Sequence, residues 1–208
     1  MRFNPIFTKS ALLIFLLLGA FITSAQTFHA SVIGGLNFCQ IDGDRFAGYN
    51  KLGFNGGIRI HTEKDEKWDI GFDLLYTTKG SKKRIIPDDP NPQIFIIKAQ
   101  YVELPLWARY KIPSLSNLRA IGGISIGSNV GGTVDDGYGP KDANFKPLEV
   151  ALNLGAEYKL AEALTLSLRH SNSMNRIGED YPGARRWVNR VGLFNRIYML
   201  SLAYELNS

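Results

Sequence analysis

Residues 68–78 read WDIGFDLLYTT, and apolar side chains recur at every second position from Trp68 to Tyr76. Small or acidic residues occupy most of the positions between them. A period of two predicts a β-strand with two unlike faces. Eight steps of ~3.3 Å at a tilt of ~40° rise roughly 20 Å, close to the ~25 Å apolar band of an outer-membrane barrel. The stretch therefore predicts a strand that crosses a membrane.

Seven further segments alternate in the same way. We predict eight strands, at residues 28–39, 51–61, 68–78, 94–111, 118–130, 147–160, 164–174 and 196–206. Outside the N-terminus, no comparable stretch has the 3.6-residue period of an amphipathic helix. The pattern predicts an all-β fold.

The connections between these strands alternate in length. The long ones are residues 40–50, 79–93, 131–146 and 175–195, and the short ones are residues 62–67, 112–117 and 161–163. Outer-membrane barrels combine short periplasmic turns with long external loops. With a periplasmic N-terminus, every long connection falls outside the cell. We predict an eight-stranded, antiparallel, up-and-down transmembrane β-barrel.

Residues 1–25 have the features of a secretory signal peptide. The positively charged Arg2 and Lys9 precede an apolar run at residues 11–22, and small residues precede Gln26. That run is too short to span a bilayer as a helix, which needs about 20 residues. We predict cleavage before Gln26, which leaves one barrel domain, residues 26–208, in the cell outer membrane.

The composition excludes several classes of function. The signal carries two of the 24 Lys and Arg and none of the 19 Asp and Glu, so the mature net charge is +3. This small positive net charge gives no reason to predict a nucleic-acid partner. The one cysteine, Cys39, cannot form an internal disulfide.

The two strand faces need an assignment, because a soluble lipocalin-like barrel also alternates but turns its apolar row inward. Here the polar row combines small residues with charges of both signs, which suits the narrow, filled interior of an eight-stranded barrel. Buried charges need partners. We therefore predict that the apolar row faces lipid and that an interior network includes Arg59, Asp73, Glu103, Arg109, Glu149, Glu157 and Arg169.

Two other features bear on the barrel. Apolar-row aromatics lie beside the short turns or the C-terminus, as in a periplasmic aromatic girdle, namely Trp68, Tyr110, Tyr158 and Tyr204. Pro105 lies inside the fourth strand and has no N–H for the ladder, so we predict a bulge there.

Several stretches resemble the PorT-like family of outer-membrane β-barrel proteins of Bacteroidota. They are Gly34-Gly35-Leu36-Asn37, Gly43-Asp44 with Lys51-Leu52-Gly53-Phe54, Tyr101-Val102-Glu103-Leu104-Pro105-Leu106, and the closing strand from Asn195 to Leu206. The resemblance implies an eight-stranded outer-membrane barrel with Pro105 as a family trait, and it implies no reaction. The ending Leu206-Asn207-Ser208 departs from the terminal Phe usual in such barrels.

The residues with reactive side chains favour no enzyme and no cofactor. His170 and Ser171 are adjacent, so they point to opposite strand faces and cannot pair as base and nucleophile. His29 and His61 are isolated in the sequence, and no metal site is predicted from them. The acidic turns at residues 42–44 and 135–136 have Ca²⁺-type ligands, but such turns are common without a metal.

Basic residues mark two of the long loops. Lys79, Lys82, Lys83 and Arg84 open the second external loop, and Arg185 and Arg186 lie in the fourth. We predict that they contact lipopolysaccharide phosphates; ordinary solvated loops are the alternative. The function predicted is a non-enzymatic barrel with a structural or loop-mediated binding role, in contact with outer-membrane lipid and envelope proteins. A PorT-like component of a secretion or gliding complex is the alternative, followed by a lipid A-modifying enzyme.

Overall fold

A computed structural model describes residues 27–83, 94–179 and 191–206. The predicted signal peptide, Arg84, Arg185 and Arg186 lie outside these residues. The described residues form nine strands: β1 (Phe28–Asp42), β2 (Lys51–Glu63), β3 (Trp68–Lys82), β4 (Ile96–Lys111), β5 (Leu118–Asp135), β6 (Pro140–Asp142), β7 (Leu148–Lys159), β8 (Leu164–Ser173) and β9 (Phe194–Glu205). Among the described residues, no helix has the length and apolar character needed to cross a membrane.

Eight of the strands close into a ring. The hydrogen-bonded order is β4-β3-β2-β1-β9-β8-β7-β5, and β5 pairs back onto β4. Every pairing is antiparallel. The short β6 pairs with the end of β5 and stands outside the ring. The predicted eight-stranded, antiparallel, up-and-down barrel is confirmed.

The two faces of each strand are the predicted ones. Along β3, Trp68 and Leu74 have 43% and 45% of their surface exposed, whereas Asp69 and Asp73 are fully buried. The apolar row therefore points away from the barrel axis and the polar row fills the interior. A soluble barrel with an apolar interior does not fit this arrangement.

Several strands run further than the alternation of apolar residues indicates. β3 ends at Lys82 and β5 at Asp135, where the sequence predicts ends at 78 and 130. The strands stay paired after the apolar row stops, because ladder hydrogen bonds do not require lipid-facing side chains. As a result β3, β4, β5 and β6 extend the sheet beyond the apolar band at the long-loop end.

The predicted bulge at Pro105 is wrong. Pro105 pairs in register with Ser125 of β5. On its other side, the β3–β4 ladder has the same register before and after Pro105 but no pairs at Asp73 and Leu74, since proline has no N–H to donate. The register shift of β4 against β5 lies at Gln100 and Tyr101.

Two glycines make room for the largest interior side chain. Gly71 of β3 and Gly123 of β5 lie directly opposite Trp107 of β4. A Cβ on Gly71 would lie 2.7 Å from Trp107 Cζ2 and 2.5 Å from the Ile60 carbonyl oxygen. These small residues of the polar row therefore permit the indole ring to lie across the interior.

We expect Gly71→Ala to lower the free energy of unfolding by about 1–3 kcal/mol, because the added methyl group overpacks the Trp107 site. Urea unfolding of the refolded barrel measures this change. Gly34→Ala is the matched control, because its nearest neighbour, the Asn55 carbonyl oxygen, is 4.0 Å from the new Cβ. Equal stability of the two variants would contradict the proposed role of Gly71.

Candidate functional site

A balanced ion-pair network fills the half of the barrel nearer the short turns. This arginine cluster consists of Arg59, Arg109, Arg169, Asp69, Asp73 and Glu157, all buried. Glu157 accepts hydrogen bonds from all three arginines, each at 2.9 Å. Trp107 donates to Asp73 at 2.9 Å, and its ring has the three guanidinium carbons 5.0–5.8 Å from its centroid. The three guanidinium groups thus face three carboxylates, of which Asp69 also pairs with Lys111 at 3.5 Å and with Arg119 at 3.7 Å.

Two of these ion pairs cross the full diameter of the barrel. Arg59 of β2 bonds Glu157 of β7, and Arg169 of β8 bonds Asp73 of β3 at 2.8 Å. Each pair joins strands that stand four places apart in the eight-stranded ring. The bonds therefore connect opposite walls and block the axis of the barrel.

A second network lies nearer the long loops. This lysine cluster consists of Lys79, Tyr101, Glu103, Glu149 and Asn195. The ammonium of Lys79 pairs with Glu103 and, at 3.1 Å, with Glu149, and it lies 5.0 Å from the Tyr101 ring centroid. Asn195 donates to Glu149 at 3.0 Å. The structure thus places all seven predicted network residues inside the barrel, in two separate clusters.

The placement of Lys79 corrects the sequence prediction. The alternation predicts this residue in the second external loop, but it lies in β3 and its side chain is fully buried. The apolar row ends at Tyr76, so the alternation gave no sign that the inward row continues. Thr77 points inward, so a predicted strand longer by one residue would place the Lys79 side chain inside the barrel.

The remaining interior is also filled. Asn55 donates to Asn37 at 2.7 Å, Asn37 donates to Thr77 of β3, and Asn55 accepts from Ser201 of β9. At the long-loop end an apolar plug closes the mouth, formed by Ile41, Ile97, Ile177 and Leu193 with Phe95, Val134 and Phe145 packed against it. In the part of the chain that the structure describes, the interior is a succession of packed layers.

The outward face of the sheet extension carries two lysines. Lys82 of β3 pairs in register with Ile96, and Lys98 lies two residues further along β4. The two lysines therefore occupy diagonal positions on one face. Lys98 is exposed and Lys82 is half-buried, as is Lys83. Both outward lysines lie beyond Tyr76 and Val102 of the apolar row, at the level expected for lipid headgroups.

The two acidic turns use their carboxylates within the protein. Asp42 pairs with Arg196 at 2.6 Å, and Asp44 accepts from Ser81 and from the Phe46 amide. Burial raises the pKa of the Asp44 carboxyl to about 6. In the other turn, Asp135 accepts from the amides of Gly137 and Gly139. A hydrogen bond from Lys141 holds the pKa of Asp136 below its usual range.

His170 and Ser171 point to opposite faces, as their spacing predicts. Ser171 is buried inside the barrel. The His170 ring lies outside, 4.6 Å from the Tyr198 ring, and Tyr198 in turn packs on Tyr49 at 4.9 Å. No base-nucleophile pair forms between them.

The short-turn end brings together residues that the sequence analysis treated as isolated. His29 of β1 lies opposite His61 of β2, with ring centroids 5.0 Å apart and planes at 22°. His29 Nδ1 lies 2.7 Å from a carboxylate oxygen of Glu205 on β9. These three side chains border a cavity of about 290 Å³. Their separation in sequence, 176 residues between His29 and Glu205, hides the cluster from any local motif.

The fold and its filled interior agree with the comparison to known families. A family model described as "Outer membrane protein beta-barrel domain" matches residues 24–177. The chain belongs to this family. As a member, it is an outer-membrane protein, which confirms the predicted localisation. No curated protein sequence matches it.

Solved outer-membrane barrels are similar to the chain in fold. Neisserial surface protein A (NspA) is 14% identical, with 87% of this chain and 99% of that chain covered and a TM-score of 0.48. Ail of Yersinia pestis is 12% identical, with 86% and 98% covered and a TM-score of 0.49. OprG from Pseudomonas aeruginosa is 14% identical, with 88% and 98% covered and a TM-score of 0.44.

Proposed function

We propose that this protein is a non-enzymatic outer-membrane barrel that binds at the cell surface through its long-loop end. One observation carries the proposal: the interior of the described barrel is filled by two ion-pair clusters and an apolar plug. A filled barrel gives a solute no path, so binding falls to the surface that stands outside the membrane. The sheet extension of β3 to β6 is a rigid part of that surface.

The partner that the charges favour is the phosphate of lipopolysaccharide. Lys82 and Lys98 lie on one outward face just beyond the apolar row. Ammonium groups at this level meet lipid phosphates and form charge-assisted hydrogen bonds with them. Lys83 follows Lys82 at the same end of the barrel. Arg84, Arg185 and Arg186 lie outside the described residues and stay predicted phosphate contacts.

The experiment is a charge reversal at the two outward lysines. We expect Lys82→Glu with Lys98→Glu to weaken lipopolysaccharide binding by the detergent-solubilised barrel roughly tenfold or more, because each cation near an anionic surface contributes about 1 kcal/mol. Binding should also weaken as salt rises. Calorimetric titration measures both effects.

The matched control reverses two exposed lysines at the opposite end, Lys64→Glu with Lys67→Glu, in the turn between β2 and β3. This control should bind like the wild type. If the two double variants lose affinity equally, or neither does, lipopolysaccharide recognition by the long-loop end is wrong.

A PorT-like subunit of a secretion or gliding complex is the second candidate. The sequence resemblance supports this candidate, and so does β6. This strand pairs with β5 and stands outside the ring, so a partner protein could pair with its outer edge. Crosslinking in cells followed by pulldown tests it: recovery of envelope proteins favours this candidate, and recovery of the barrel alone opposes it.

A further inference from the structure

We propose that the short-turn end of the barrel holds a divalent transition-metal ion of the Zn²⁺ type, bound by His29, His61 and Glu205. Two imidazoles and one carboxylate are a ligand set that Zn²⁺ takes, with a fourth position left for water. One ligand atom from each residue lies within 4.8 Å of the other two. The proposal is independent of binding at the long-loop end.

The strand register brings the three side chains together. His29 and His61 are direct cross-strand partners of β1 and β2, while Glu205 pairs with Ser31 on the other side of β1. Adjacent strands of a closed barrel cannot slide, so the ligands are held at nearly fixed spacing. Two ligand atoms of one tetrahedral Zn²⁺ at ~2.0–2.1 Å stand roughly 3.4 Å apart. Rotations of the three side chains would bring their ligand atoms to this spacing.

An unsatisfied buried nitrogen points to a missing ligand. His61 is buried, with 7% of its surface exposed, and its Nδ1 has no hydrogen-bond partner among the described residues. A buried polar atom without a partner is costly, and a metal ion is one way to satisfy it. Glu205 already holds His29 through the 2.7 Å contact, so metal binding would displace the proton shared between them.

The surrounding charges do not exclude a cation. Arg59 and Arg109 border the same cavity, but both are paired with carboxylates of the arginine cluster. Arg119 lies 3.7 Å from Asp69. Glu63, Lys159 and Glu162 also line the cavity, and Glu63 is paired with Lys111 at 2.9 Å. The cavity gives an aqueous ion a route to the site and room for a bound water.

Calorimetric titration of metal-free, refolded mature chain with Zn²⁺ tests the proposal. We expect one saturable site per chain and at least a tenfold loss of affinity in His61→Gln and in Glu205→Gln. The third histidine supplies the matched control, since His170 lies at the other end of the barrel and His170→Gln should bind like the wild type.

Heat-modifiable gel mobility establishes that each variant is folded. If His61→Gln does not fold, His29→Gln gives the same test at a position that is partly exposed. The absence of saturable Zn²⁺ binding by the wild type, or wild-type affinity in the folded His29 and His61 variants, would overturn the proposal.

Discussion

Replacing Glu157 by Gln should lower the free energy of unfolding by about 3–5 kcal/mol, the cost of removing one partner from a buried ion pair. Glu157 is the one carboxylate that bonds all three arginines of the arginine cluster. The amide keeps the shape and one acceptor oxygen but removes the negative charge. Three buried guanidinium groups would then share Asp73 with Asp69, which also pairs with Lys111 and Arg119.

Urea unfolding of the barrel in lipid vesicles measures this change. Glu162→Gln, an exposed carboxylate in the turn that follows β7, is the matched control and should stay within about 0.5 kcal/mol of the wild type. The difference reports the cost of uncompensated arginines rather than the net value of the network. A loss below about 0.5 kcal/mol in Glu157→Gln would mean that water reaches the cluster.

The second large effect is expected on the lipid-facing surface. Leu200→Arg should cost about 2–4 kcal/mol, the range for a cation at the bilayer midplane of a β-barrel. Leu200 is 38% exposed and lies between Leu36 of β1 and Leu168 of β8 at the same height. All three belong to the outward apolar row, so an arginine there has no aqueous neighbour.

The control variant places the same arginine at a different depth in the membrane. Leu164→Arg, at the first residue of β8 opposite Tyr204, lies at the aromatic girdle and should cost only about 0–1 kcal/mol. Leu200→Met should also be mild, because it conserves volume and apolar character. The same vesicle-based urea unfolding compares the three variants. Similar small losses for both arginine variants would show that the apolar row does not face lipid.

The fold was predictable because its signals are local. A period of two in residues 68–78 is enough to assign Asp69 and Asp73 to one face and Trp68 to the other. The closed ring follows from the number of such strands and from the loop lengths. The strand ends were not predictable from this signal, since Lys79 lies inside the barrel beyond the last apolar residue of its row.

The grouping within the interior depends on register, which a local pattern does not contain. The seven predicted charges form two clusters because Glu103 and Glu149 stand at a different height from Asp73 and Glu157. A local pattern likewise cannot predict that His29, His61 and Glu205 lie together. Their side chains meet only because β1 lies between β2 and β9 in the closed ring.

The ion pairs across the barrel diameter have a consequence for assembly. Arg59 and Glu157 are 98 residues apart, and Asp73 and Arg169 are 96 apart, so each pair joins an early strand to a late one. Each half of the barrel also holds an ion pair of its own, because Arg59 bonds Asp73 between β2 and β3, and Arg169 bonds Glu157 between β8 and β7. Each hairpin can therefore bring its charges into the barrel as a neutral pair, and the bonds across the diameter join the two pairs when the ring closes. These bonds exist only in the complete ring, so they favour the closed cylinder over a partly assembled sheet.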